Sequence, residues 1–136
     1  MPQEAKEFRH QTPEFEGVKK TWQVCNSDLM KVQVQVVKNG GENNLHTHTG
    51  EDAFWYVISG AVKFYGEGDK LVGQFKKGEA ILVPRGYKYW FESASAEPLE
   101  ILRVTAKDQN IDNKRVDLSP QKDWMVQQNT FGAPRQ

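Results

Sequence analysis

Short runs of β-branched and aromatic residues, separated by turn signals, follow one another through residues 18–106. Within them, residues 32–36 alternate valine with glutamine, which is typical of a strand with one buried face. The dipeptides Asn39-Gly40 and Ser59-Gly60 favour tight turns between strands. About seven to nine short strands, with no helical periodicity between them, predict an all-β antiparallel sandwich or barrel.

The two ends of the chain differ from this central region. Residues 1–17 are polar and predict an N-terminal arm outside the core. Residues 107–136 are also polar. We predict that they form a C-terminal tail, or an arm that packs on the barrel or on a partner subunit through Trp124 and Phe131. The chain of 136 residues suits one domain with its own core.

The charge balance restricts the partners that this chain can have. Lys plus Arg and Asp plus Glu number 18 each, so neither nucleic acid nor an anionic membrane is predicted as a partner. No apolar run approaches the length of a membrane span, and the polar N-terminus predicts no secretory signal peptide. The single Cys25 cannot form an internal disulfide, which fits a reducing compartment. Together these features predict a cytoplasmic protein.

Two of the three histidines, His46 and His48, lie one residue apart and are followed by Glu51 and Asp52. In a strand, both imidazoles would point to the same face, with their Cα atoms about 6.6 Å apart. Neutral imidazoles at that separation can converge on one metal ion, because imidazole is a general ligand for Zn, Fe, Cu and Ni. The pair is therefore a candidate metal site.

The order of these residues and of the spaced glycines resembles the conserved blocks of the cupin family, which are small jelly-roll β-barrels. The first block of the family contains a glycine, His-x-His, a glutamate and a second glycine. The second block contains a glycine, Pro-x-Gly and a histidine. The matching residues here are Gly40, His46, His48 and Gly60, then Gly78, Pro84 and Gly86. The resemblance implies a single-domain antiparallel jelly-roll barrel over residues 18–106, with both arms outside it.

Two of the four usual ligand positions of the family are changed in this chain. The glutamate position falls on Ala53, which cannot bind a metal, and the histidine position of the second block falls on Tyr89. The resemblance still implies one divalent transition metal (Fe, Zn, Ni or Mn), held by the histidine pair with Asp52 or Glu51 as the carboxylate. The alternative is that the metal has been lost, and that the pair lines a ligand pocket or completes the core.

Aromatic residues are predicted to surround this site. Strand alternation places Trp55 on the histidine face, and Tyr89 and Phe91 share one face of a later strand. Tyr89 would act as a ligand, hydrogen-bond donor or acid, whereas Trp55 and Phe91 would line the substrate pocket. This lining favours an apolar or aromatic small-molecule substrate and a dioxygenase-like reaction.

Three classes of function follow from the resemblance. The first is a metal-dependent enzyme, that is, an oxygenase, isomerase or lyase acting on a small organic molecule. The second is a small-molecule binder or sensor without redox chemistry, with or without a metal. The third is a structural protein whose tail docks on a partner. Small cupins commonly dimerise, so the resemblance also implies a homodimer.

Overall fold

The fold is built almost entirely of short strands. The structure is a computed structural model that describes residues 4–120. Within these residues ten strands occur in the following order: β1 (Lys19–Asn26), β2 (Met30–Val37), β3 (Gly41–His48), β4 (Glu51–Ser59), β5 (Ala61–Tyr65), β6 (Leu71–Lys76), β7 (Ala80–Val83), β8 (Tyr89–Ser93), β9 (Leu99–Lys107) and β10 (Arg115–Asp117). A single 3-10 turn, Glu67–Asp69, separates β5 from β6. No helix in this part of the chain is long and apolar enough to cross a membrane.

The strands form two five-stranded sheets that face each other. The first sheet has the order β1-β2-β9-β4-β7, and the second has the order β10-β3-β8-β5-β6. All paired neighbours are antiparallel. The all-β antiparallel architecture predicted from the turn spacing is therefore confirmed.

Two glycines allow the chain to follow this path. A side chain at Gly41 would collide with the backbone oxygen of Phe91, because a Cβ there would lie 2.1 Å from it. Gly41 therefore lets β3 approach β8 closely. Gly60, between β4 and β5, has a φ of 77°, a left-handed conformation that costs glycine nothing.

The interior between the sheets has an apolar end. The rings of Trp55, Phe64 and Phe91 meet there, with the centroids of Trp55 and Phe91 5.1 Å apart at an interplanar angle of 65°. Burying each such side chain contributes about 1.5–3 kcal/mol. The aliphatic residues around these rings are Val37, Val57, Val62, Leu99 and Ile101.

The opposite end of the same interior is polar. On β4, Glu51 lies on the inward face together with Trp55, whereas Phe54 lies outside with an exposed ring. On β9, Arg103 continues the inward face that begins with Leu99. The strands therefore change from apolar to charged along one face, and this change positions the site.

Both arms pack on the barrel where they are described. Phe15 stacks edge-to-face on Trp22 of β1, with ring centroids 5.5 Å apart, and the Lys38 Nζ lies 4.1 Å from the centre of the Phe15 ring. In the segment predicted as a polar tail, residues 115–117 form β10 and pair with β3. Residues 115–117 therefore lie against the barrel.

The strand β10 was not predicted, because its residues show no apolar alternation. It forms through backbone pairing with β3 and through side-chain hydrogen bonds. The predicted docking residues Trp124 and Phe131 lie outside the described residues.

Candidate functional site

The histidine pair lies on the inward face of β3, opposite β8. The ring centroids of His46 and His48 are 5.3 Å apart, and the two planes are nearly perpendicular. Tyr89 pairs with His46 across the two strands, and their ring centroids are 4.5 Å apart. The structure thus brings together three of the residues that the sequence proposed for the site.

A buried arginine that the sequence analysis did not identify lies beside this pair. The guanidinium of Arg103 on β9 is only 3% exposed. Its Nη2 lies 2.6 Å from Glu51 Oε2 and 3.3 Å from His48 Nε2, and its Nη1 lies 3.4 Å from Gln33 Oε1. Arg103 therefore connects residues of β2, β3 and β4.

The contact with Arg103 determines the protonation of His48. A guanidinium can only donate hydrogen bonds, so His48 Nε2 must accept one. The neutral ring then carries its proton on Nδ1, which lies 3.8 Å from Glu51 Oε2. Burial, followed by the Arg103 charge, lowers the pKa of His48 to about 4. His48 is therefore neutral near pH 7.

His46 has the opposite arrangement of its ring nitrogens. Its Nδ1 lies 2.8 Å from the backbone oxygen of Asn44, so Nδ1 donates and Nε2 keeps a lone pair. This Nε2 is buried and has no hydrogen-bond partner within residues 4–120. Burial lowers the pKa of His46, and the Glu42 carboxylate opposes that effect. His46 is a neutral imidazole with an available basic nitrogen.

Glu51 is the carboxylate that reaches the histidines, and both of its oxygens are engaged. Oε2 accepts from Arg103, and Oε1 accepts from Asn113 Nδ2 at 2.7 Å. Burial would raise the pKa of Glu51, but the Arg103 charge and the Asn113 hydrogen bond hold that pKa below its ordinary value. Glu51 is therefore ionised and balances the guanidinium.

The structure does not bring Asp52, the other proposed carboxylate ligand, to the histidines. Alternation along β4 turns its side chain to the outer face, away from Glu51. There Asp52 Oδ1 accepts from the Arg85 backbone N–H at 2.9 Å, and Oδ2 lies 3.3 Å from Arg85 Nη1. Asp52 therefore holds the turn after β7 and lies outside the interior cluster.

Tyr89 is completely buried beside His46. Burial raises the pKa of Tyr89 well above its usual range, and Arg103 opposes this only in part. Its hydroxyl has no partner in the described part of the chain. A neutral phenol in this place can donate a hydrogen bond but does not supply a phenolate.

The two proposed pocket residues occupy different surroundings. Trp55 lies under the site, with the guanidinium carbon of Arg103 5.2 Å from its ring centre. Phe91 packs against Trp55 and Phe64, further from the histidines, in the apolar end. Trp55 therefore borders the polar cluster, whereas Phe91 supports it from behind.

Several polar atoms inside the barrel lack hydrogen-bond partners. Buried polar groups in folded proteins are almost always hydrogen-bonded, to protein or to ordered water. A group of partnerless atoms at one end of the interior therefore indicates a place for a polar ligand or for water. Among the described residues, the atoms of this group are His46 Nε2, Trp55 Nε1, Tyr89 Oη and Arg103 Nε, whereas the partnerless Gln35 Oε1 lies on β2 opposite Ile101 of the apolar end.

A second buried charge cluster lies beside the pair, around Glu42 of β3. Glu42 lies 3.3 Å from Arg115 Nη1 and 4.0 Å from Lys19 Nζ. Burial would raise the pKa of Glu42, but the surrounding cations, Lys19 foremost, hold it well below its usual range. Arg115 Nη2 also donates to Asn44 Oδ1 at 3.1 Å. Through these contacts, β10 holds in place the part of β3 that contains His46.

Sequence reasoning missed Arg103, Asn113 and Arg115. Arg103 had a signal, because it follows Leu99 and Ile101 on the strand face that these two apolar residues predict to point inward. A buried arginine among such residues needs partners, which points to a site. Asn113 and Arg115 had no such sequence signal, because they lie in a polar segment without periodicity.

A comparison with protein-family models matches the cupin domain over residues 33–105, which is more than half of the chain. The chain belongs to the cupin family. This confirms the resemblance drawn from the histidine pair and the spaced glycines. No curated protein matches this cupin significantly.

Solved structures share the fold of this cupin at low sequence identity. An uncharacterized conserved protein with a double-stranded β-helix domain from Klebsiella pneumoniae is 18% identical, with a TM-score of 0.65 over 79% of this chain and 90% of that chain. Pac13, a unique nucleoside dehydratase, is 18% identical, with a TM-score of 0.58 over 74% and 79%. An oxalate decarboxylase is 22% identical, with a TM-score of 0.59 over 79% of this chain and 30% of that chain. These similarities confirm the jelly-roll fold.

The donor set of this cupin fits a divalent metal poorly. Cupins often bind a metal ion. Here His46 Nε2 keeps an unused lone pair, whereas His48 Nε2 and both Glu51 oxygens accept from other side chains. The fixed charge of Arg103 at the same place would repel a divalent cation. Among residues 4–120, no three His, Cys, Asp or Glu side chains are placed to hold a metal. The predicted Fe, Zn, Ni or Mn stays a prediction.

Proposed function

We propose that this cupin binds a small organic molecule at the polar end of the barrel and transfers a proton through His46, without using a metal. The observation that carries the proposal is that His46 Nε2 and Tyr89 Oη are both buried without partners among the described residues, with the two rings 4.5 Å apart. The buried guanidinium of Arg103 lies against the neighbouring His48. A buried neutral imidazole with an available nitrogen is suited to general base catalysis.

The roles follow from the hydrogen bonds. His46 Nε2 takes a proton from the substrate, and its Nδ1–H remains bonded to the oxygen of Asn44. The Tyr89 hydroxyl donates a hydrogen bond to the substrate oxygen that gains negative charge. The Glu42 carboxylate favours the imidazolium that His46 becomes. Arg103 holds the side chains of His48 and Glu51 in one orientation through its hydrogen bonds.

Two relatives with the same fold make proton-transfer chemistry a reasonable class for this barrel. Pac13 is a nucleoside dehydratase, and removal of water from an organic molecule requires proton transfers. The oxalate decarboxylase is an enzyme on the same fold. At these identities the relatives support a class of chemistry and leave the substrate open.

The experiment compares the wild type with His46→Gln. Each protein, treated with a chelator, is incubated with a defined extract of small metabolites, and mass spectrometry records which compounds are consumed. We expect the wild type to convert at least one compound. His46→Gln should convert it about 100-fold or more slowly, because a positioned base contributes about 10²–10⁴-fold.

The alternative functions predict different results in the same experiment. Conversion only after Fe, Zn, Ni or Mn is added would overturn the proposal in favour of a metal-dependent enzyme, for which the available Nε2 of His46 is the supporting observation. A compound that co-elutes with the protein unchanged, with no conversion, would favour a binder or sensor. Equal conversion by both proteins would also overturn the role of His46.

A further inference from the structure

Two lysines that the proposed function does not use lie at the polar end of the barrel. The part of this end that holds Lys31, Lys107 and Arg103 is called the mouth. Lys31 on β2 and Lys107 on β9 are half-buried. Lys31 pairs across the sheet with Thr105, which lies between Lys107 and Arg103 along β9. Lys107 pairs in turn with Glu51 of β4. Both lysines therefore share the inward face of the first sheet with the buried guanidinium.

The charges at this mouth do not balance. Three cations face one carboxylate, and both oxygens of Glu51 are already used. The backbone oxygen of Lys31 accepts from Thr105 Oγ1, whereas its Nζ has no ion pair or hydrogen bond within residues 4–120. Burial, followed by the repulsion of the nearby guanidinium, lowers the pKa of Lys31. The nearby acids Asp52 and Asp108 are paired with Arg85 instead.

An independent observation points to a hydrogen-bond acceptor at the same place. Arg103 Nε and Trp55 Nε1 are buried N–H donors without partners in residues 4–120. The two groups are neighbours, because the guanidinium lies over the Trp55 ring. Donors left without acceptors, beside surplus positive charge, are suited to an anion.

We propose that this mouth binds the carboxylate group of a small organic molecule, with Lys31 and Lys107 attracting the anion and Arg103 and Trp55 donating hydrogen bonds to it. The inference rests on the proposed function, because it names the class of substrate for the same site. The remainder of the molecule then lies toward His46 and Tyr89, where the proton is transferred.

Binding of matched acids and amides tests this inference without requiring turnover. The full chain, labelled with ¹⁵N, is titrated with benzoate, benzamide, oxalate, oxamide and inorganic phosphate. The indole N–H signal of Trp55, assigned with Trp55→Phe, reports binding. We expect each carboxylate to bind about tenfold or more tightly than its amide and than phosphate, with an affinity that falls as salt rises.

Paired lysine variants provide the matched control. Lys31→Gln with Lys107→Gln should weaken benzoate binding about tenfold. Lys76→Gln with Lys77→Gln removes the same two charges from an exposed turn and should leave the affinity unchanged. Equal effects of the two double variants, equal affinity for acid and amide, tighter binding of phosphate, or no Trp55 shift with any probe would overturn the inference. Failure here, together with conversion that depends on His46, would refute the carboxylate class alone.

Discussion

The two ends of the barrel interior are built on the same strands and hold opposite kinds of residue. At one end, aromatic and aliphatic side chains such as Phe91 and Ile101 fill the space between the sheets. At the other, Arg103 and Glu51 are equally buried but are held by directed hydrogen bonds. Burial stabilises the first end, whereas at the second burial is costly and must be offset by exact pairing. The apolar end therefore supplies most of the stability, and the candidate site lies at the polar end.

The largest effect is expected at the apolar end. Phe91→Ala would remove a ring that contacts Trp55 and Phe64, so we expect a loss of about 3–5 kcal/mol in the free energy of unfolding. Urea denaturation measures this loss. The control is Leu82→Ala, which removes a side chain that is 63% exposed and should change stability by about 0.5 kcal/mol or less. Similar losses for both variants would contradict a core at this end.

Breaking the buried ion pair should have the next largest effect. Arg103→Met leaves the buried carboxylate of Glu51 without its counter-charge, and we expect a loss of about 3 kcal/mol at pH 7. Adding Glu51→Gln to Arg103→Met removes that isolated charge and should restore most of the stability. A double variant that is less stable than Arg103→Met would contradict this prediction, because it would show that the isolated charge of Glu51 is not the cause of the loss.

The pH dependence of stability should report the polar end. The pKa of His48 is lowered from 6.5 to about 4 in the folded chain. The unfolded chain therefore binds more protons between these pH values, and stability falls by about 2–3 kcal/mol as the pH is lowered through that window. His48→Gln should flatten this part of the curve relative to the wild type. An unaltered slope in His48→Gln would show that another group titrates.

The smallest effect is expected from the segment before β10. Asn113→Ala removes the hydrogen bond from Asn113 to Glu51 and the one from the Gly50 N–H to Asn113 Oδ1, and a loss of about 1–2 kcal/mol is expected. Asn110→Ala changes an exposed asparagine in the same segment and serves as the matched control. Thermal unfolding of the two variants compares them directly. Equal midpoints would mean that Asn113 adds nothing to the polar end.

The fold could be predicted from the sequence further than the site could. Alternating valines, turn dipeptides and the spaced glycines are local signals, and they predicted two antiparallel sheets with His46 and His48 on one face. The partners of that pair come from distant strands. Asp52 and Glu51 are adjacent in sequence, and only the register of β4 decides which faces inward.

Arg103 shows why the contacts of the candidate site were harder to predict than the fold. Its position on β9 was within a predicted strand, but its contacts with Glu51 and His48 depend on how three strands are arranged in the sheet and across the interior. Asn113 and Arg115 lie in a segment that becomes ordered through hydrogen bonds to β3 and β4 rather than through an apolar pattern. Contacts of this kind produce no periodic pattern in the sequence.

The imidazole nitrogens of the two histidines offer the most direct measurement of the central claim. Long-range ¹H–¹⁵N NMR spectra at pH 7 distinguish protonated, unprotonated and metal-bound ring nitrogens. We expect both histidines to be neutral, with His46 protonated on Nδ1 and its Nε2 unchanged when Zn²⁺ is added in equimolar amount. Stoichiometric shifts of Nε2 in both His46 and His48 on adding Zn²⁺ would contradict the account, because they would show that Arg103 yields its place to a metal.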